Sequence, residues 1–230
     1  MVSVNTAHTD LALLRLLQIV SPNLPTGAYS YSQGLEWAVE AGWVTDSETF
    51  RQWLQEQTHG VMVQQELPLL RLLYKAFQNR DEALTTELCS TVIALRETAE
   101  LRDEERQRGR AMLALTSQLN SEISALDNSD QSTCQLGVFA QYCACENIPL
   151  DLAFQGYVYS WLESHTMAAV KLIPLGQTTG QKILYLLSAD IESVVQSAKT
   201  VEAADIGYTN PAQIFASCQH ETQYSRLFRS

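Results

Sequence analysis

The stretch from Pro149 to Pro174, PLDLAFQGYVYSWLESHTMAAVKLIP, decides the fold. Tyr157, Val158, Trp161, Leu162, His165, Ala169 and Leu172 recur at steps of three and four, which stacks them along one side of a helix. Pro149 opens this helix and Ile173-Pro174 closes it, because proline disfavours helical backbone in the residue before it. The same spacing runs through Val63, Leu67, Leu70, Leu73, Tyr74 and Phe77, and again through Ile183, Leu187, Ile191 and Val195. No segment alternates apolar and polar residues in the manner of a half-buried strand.

Punctuation divides the pattern into about eight to ten helices, most of them roughly 10–22 residues long. Ser21-Pro22 ends the first, and Gly42 stands where a C-terminal cap would follow residues 29–41. Asp46 and Ser47 are good N-caps for the next. Gly207 to Pro211 reads as a loop, and so does the polar stretch 120–132. The expected organisation is a disordered segment at 1–9, one all-α domain over 10–218, and a tail at 219–230.

The chain has 230 residues with 15 basic and 26 acidic side chains, a formal net charge of −11. So acidic a body is a poor match for nucleic acid or an anionic membrane surface, both of which attract positive potential. Its densest apolar run, Leu11 to Val20, contains Arg15 and is too short to span a bilayer. No basic leader precedes that run, so a cytoplasmic setting is expected. Five scattered cysteines, Cys89, Cys134, Cys143, Cys145 and Cys218, suit free and mostly buried thiols in a reducing compartment.

Chemistry-bearing motifs are scarce. Gly176-Gln-Thr-Thr-Gly180-Gln181-Lys182 departs from a phosphate-binding loop in its spacing and in the residues on both sides of the lysine. Gly27 is followed two residues later by Tyr29 rather than by a nucleophilic serine. His8, His59, His165 and His220 are far apart, and His165 on an apolar stripe reads as a hydrogen-bonded core histidine. Cys143 and Cys145 could hold a soft metal, although their spacing is CxC rather than CxxC and no second pair lies at zinc-site spacing. Glu104-Glu105 lies in the run Arg96 to Arg110, which holds five arginines and five acids. Such a run reads as a solvated helix face laced with ion pairs, or alternatively as a docking surface. No catalytic residue and no cofactor are assigned.

Two segments are too particular for generic core. SPNLPTGAYSYSQGLE, Ser21 to Glu36, is a junction stiffened by proline, loosened by glycine and rich in tyrosine and serine. HETQYSRLFRS, His220 to Ser230, sets Tyr224, Leu227 and Phe228 around Arg226 and Arg229, the mixture of a segment that orders on a partner. With Pro174-Leu-Gly-Gln177 between them, these motifs resemble the UreF family of urease accessory proteins, whose N-terminal signature stands here without departure. The resemblance covers about residues 10–230.

What the resemblance implies is an all-helical, homodimeric, non-enzymatic chaperone. It would bind UreD (UreH in some organisms), recruit the GTPase UreG with it, and act on apo-urease as nickel is inserted. Tyr29 would support the dimer or the arrangement of its surface needed for partner recruitment, and Arg226 would be needed to recruit UreG, with Ser30, Gln33, Glu36, Tyr224, Leu227 and Phe228 as further partner-binding positions. Two other roles stay open. One is a GTPase-activating regulator working through an arginine of the 96–110 run, since such a finger accelerates hydrolysis by about 10³–10⁵-fold. The other is a nickel carrier using Cys143, Cys145 and a histidine.

Overall fold

The computed structural model describes residues 4–124 and 133–230, with side chains from Asp10 onward. It is all helical: eleven α-helices and no strand occur among the described residues. In chain order they are α1 (Val4–Ile19), α2 (Leu35–Glu40), α3 (Ser47–Gln57), α4 (Leu67–Gln78), α5 (Glu82–Ala94) and α6 (Ala99–Leu119). Then follow α7 (Gln135–Cys145), α8 (Leu150–Leu172), α9 (Gln177–Ser188), α10 (Ile191–Lys199) and α11 (Pro211–His220). Helix α4 packs on α5, α7, α8 and α10, while α8 also carries α1 and α9, so these two form the axis of the core. Phe50, Phe139, Tyr142 and Phe154 are its largest fully buried side chains, set among leucines of α2, α3 and α4.

The expected starts and stops are borne out where side chains enforce them. Asp46 accepts from the amides of Glu48 and Thr49, and the Thr49 hydroxyl answers the Asp46 amide, a reciprocal cap. Helix α8 begins just after Pro149 and ends before Ile173. The first helix extends further back than expected. It starts at Val4, so residues 4–9 of the segment expected to be disordered continue the helix of the leucine run, and residues 1–3 lie outside the described residues. Likewise 29–41 is not one helix: a 3-10 turn at Ala28–Ser30 precedes α2, because Gln33 and Gly34 both take positive φ. Of the expected loop 120–132, residues 120–124 are non-helical and bury Ile123, and 125–132 lie outside the described residues.

Between α3 and α4 the helix continues without a break as a π-helical segment, Thr58–Glu66. Pro68 lies in the first turn of α4, so it gives no amide proton to the carbonyl of Gln64 four residues back. That carbonyl instead accepts from the Gly207 amide at 3.1 Å. Tyr208 then lies against Gly60, where a Cβ would come within 2.5 Å of the ring. The wide segment is thus bound by the 207–208 loop, which leads into α11 and the tail.

Candidate partner-docking site

The tail does not project from the body. Its main chain runs back over the Tyr29 turn and α6, and buried acceptors and donors hold it there. The Glu36 carboxylate, at the start of α2, accepts from the amides of Leu227 at 2.6 Å and Phe228 at 2.8 Å. The Ser230 carbonyl accepts from the amides of Ser32 and Gln33 and from the Ser32 hydroxyl at 2.6 Å. The Arg229 amide donates to the Ser30 carbonyl at 2.8 Å. Helix α6 contributes the next layer: Glu104 accepts from the Ser230 hydroxyl, from the Gln33 side-chain amide and from Arg108, and Glu100 pairs with Arg226 at 2.6 Å. The chain can pass so near α11 because residue 34 is glycine. At φ +85° it needs no Cβ, and one placed there would stand 2.8 Å from the Ser217 amide nitrogen.

This docking sorts the sequence-derived site residues into two groups. Tyr29 is 66% exposed, Leu227 64%, the Arg226 side chain 41%, and Tyr224 wholly exposed. The Lys171 ammonium stands 5.9 Å from the Tyr29 ring and 5.6 Å from that of Phe228, so the turn and the tail share one cation. Gln33, Glu36 and Phe228 face inward instead. Gln33 also accepts from the Trp161 indole at 3.1 Å, Glu36 is buried, and Phe228 joins the core cluster. Ser30 is half-buried, with its carbonyl taken by the tail. The tail therefore orders on its own body, whereas its composition reads as that of a segment ordering on a partner. The buried carboxylates of Glu36 and Glu104 are the physical reason, since each would otherwise lose donors in the interior.

The Arg96–Arg110 run is two-sided: Glu97, Ala99, Asp103, Gln107 and Arg110 are exposed and the pairs Arg106–Asp103 and Arg108–Glu104 run along the helix, while Glu104 and Glu105 are buried. Arg96 is clamped between Glu66 of the π segment and Glu105 of α6, with Nη2 2.9 Å from an oxygen of each. Tyr157 donates to Glu66 at 3.0 Å, and Glu105 accepts the Leu136 amide at 2.9 Å. Burial alone would raise the Glu66 carboxyl, but the Arg96 charge and the hydrogen bonds outweigh it and hold it below its usual range. Burial also opposes charge on Arg96, and the two carboxylates overcome that, so the guanidinium stays charged. A polar cavity of about 60 Å³, lined among others by Gln33, Glu66, Arg96, Glu104 and Arg108, connects this cluster with the tail clasp. One sequence signal points to it: Leu101, Glu105, Gly109, Met112 and Thr116 repeat at helical spacing, so Glu105 lies on the buried stripe.

The remaining candidates stay apart from this site. His165 is a buried core histidine whose Nδ1 lies 2.9 Å from the Trp161 carbonyl; burial pushes its pKa down to about 4. All five cysteines are free; Cys89, Cys134 and Cys143 are buried, and burial pushes the Cys143 thiol far up. Among the described residues no three Cys, His, Asp or Glu side chains are grouped to hold a metal ion. Nor is any described helix long and apolar enough to cross a membrane.

Residues 44–188 match the model of the UreF family. Over 225 residues, 95% of this chain and 98% of the relative, the sequence is 43% identical to the urease accessory protein UreF of Alcanivorax borkumensis. The corresponding protein of Pseudomonas entomophila is 44% identical over 226 residues, 97% of this chain and all of the relative. The chain belongs to the UreF family. Of the three motifs that carried the resemblance, Pro174–Gln177 falls inside the part matched by the family model, and the Tyr29 turn and the Arg226 tail fall outside it. In this chain the turn and the tail form a single surface.

Proposed function

We propose that this UreF-family chain is a non-enzymatic adaptor in urease maturation. Its turn-and-tail surface docks UreD, and the resulting complex receives the GTPase UreG for nickel insertion into apo-urease. The observation that carries this reading is the outward presentation of Tyr29, Tyr224, Arg226 and Leu227 over a buried hydrogen-bonded base. Aromatic and arginine side chains of this kind dominate binding energy at interfaces, and a surface already held in shape loses less entropy on binding. The homodimer and the cytoplasmic setting belong to the same reading. Four arginines of the 96–110 run already have partners within the chain: Arg96 with two glutamates, Arg102 with the Arg96 carbonyl, Arg106 with Asp103, and Arg108 with Glu104. This gives the adaptor role precedence over an arginine finger.

The test is size-exclusion chromatography with light scattering on this protein mixed with UreD, then with UreG and GTP. Co-elution of all three, lost on Arg226→Ala while the homodimer persists, is the expected result. Full assembly by the Arg226→Ala protein would remove the tail from the mechanism.

A further inference from the structure

His220, in the last turn of α11, is completely buried and belongs to neither the exposed docking surface nor the Arg96 cluster. Its ring is bracketed by two carboxylates on different elements. Nδ1 lies 2.7 Å from Glu100 Oε2 on α6, and Nε2 lies 3.3 Å from Glu36 Oε2 on α2. Each carboxylate also holds part of the tail: Glu36 accepts the Leu227 and Phe228 amides, and Glu100 pairs with Arg226. His220 thus links two anchors of the tail that stand on separate helices.

Both ring nitrogens face carboxylate oxygens, and an imidazole N–H bonds either of them. Glu36 comes from α2 and Glu100 from α6, and Arg226 from the tail reaches the site only through Glu100. On its own helix end, Glu221 turns away to accept the amides of Ala99 and Glu100. The ring is thus the one side chain set between the two carboxylates that hold the tail.

We infer that His220 is the positioning residue of the tail: it ties Glu36 to Glu100 and so fixes the segment that presents Arg226 and Leu227. The consequence for recruitment rests on the adaptor reading; the clasp itself does not. Without the ring, Glu36 and Glu100 lose their common partner, and the tail loosens.

Hydrogen exchange of the 221–230 peptide, corrected for intrinsic rates, reads the clasp directly. In His220→Phe, which keeps a flat ring but bonds neither carboxylate, protection of this peptide should fall at least about tenfold while α4 and α8 keep theirs. Native protection of the peptide in His220→Phe overturns the proposal. Should that variant fail to fold, Glu100→Ala is compared with Arg226→Ala: a larger loss in Glu100→Ala, which also removes a partner of the ring, supports the clasp, and an equal loss refutes it. If protection follows His220 but UreD and UreG assemble regardless of Arg226, the adaptor role of the tail fails and the clasp stands. Assembly that needs Arg226 while protection ignores His220 sinks the clasp and leaves the adaptor role in place.

Discussion

Replacing Arg96 with methionine tests the interior charge cluster most severely. Met fills much of the same volume, but Glu66 and Glu105, both nearly inaccessible, then face each other without the guanidinium between them. Tyr157, Gln65 and the Leu136 amide remain as donors, and none of them carries charge. Removing one partner from a buried ion pair costs about 3–5 kcal/mol, a large part of the roughly 5–15 kcal/mol that holds a domain together. The pH dependence has a definite sign. With Arg96 present, Glu66 titrates below its usual range, so its contribution is intact at neutral pH and is lost as pH falls through that lowered value. Without Arg96, burial dominates and the carboxyl titrates above its usual range, so the variant gains relative stability as pH falls. Urea unfolding followed by circular dichroism and tryptophan fluorescence should show a gap of about 3–5 kcal/mol near pH 7 that narrows toward about pH 5. The triple variant Glu66→Gln, Arg96→Met, Glu105→Gln should recover more than half of it. A loss below about 1 kcal/mol, or a gap independent of pH, would refute the reasoning.

Gly34→Ala imposes a left-handed alanine, about 1–2 kcal/mol, and drives a Cβ into the α11 backbone. A loss of at least about 2 kcal/mol in thermal or urea unfolding is expected, with faster exchange in the tail. Tyr29→Ala, at an exposed position, should leave stability within about 0.5 kcal/mol yet weaken UreD–UreG assembly in pull-down. His165 should stay neutral in a proton NMR titration until the pH falls toward about 4. Its folded pKa lies below the unfolded one, so stability should decline as pH drops from about 6.5 toward that value, and a His165→Phe variant should lose this dependence. Arg226→Lys keeps a cation for Glu100 but not the planar fork. If the outward face of the guanidinium recruits UreG, assembly should fall while tail protection persists.

The helical fold is legible in the sequence because its signals are local. The 157–172 stripe, the Asp46 cap and the prolines at 149 and 174 act within a few residues, and α8 follows them closely. The site is legible in its residues but not in their directions. Tyr29 and Arg226 are identifiable by kind; that Glu36 turns inward depends on the tail returning from 191 residues further along the chain, which no local pattern encodes. The charged run misleads for a similar reason. Arg96 and Glu105 satisfy charge rules equally well on a wet surface, and only Glu66, from a segment thirty residues before Arg96, shows that they are interior. The first helix misleads in the opposite direction, since polar residues at 5–10 do not prevent the helix from continuing into the leucine run.

The tail and the interior cluster are joined through α6. Glu100 holds Arg226, Glu104 four residues on holds the Ser230 hydroxyl and Gln33, and Glu105 beside it holds Arg96. Withdrawing the tail would therefore strip donors from a line of carboxylates, at Glu36 and Glu104 first. An unpaired buried carboxylate is far costlier than an unsatisfied amide, so an acidic chain that buries these groups is bound to keep its last residues docked. A partner that reads Tyr29, Leu227 and Arg226 then meets a surface whose ordering has been completed by folding, and its affinity depends on what it adds to Lys171 and Arg226 on the outer face. Anything that breaks the His220 bridge between Glu36 and Glu100 weakens the docking from within, at a fully buried residue. Recruitment and its control would thus occupy opposite sides of the same tail, separated by the thickness of one peptide chain.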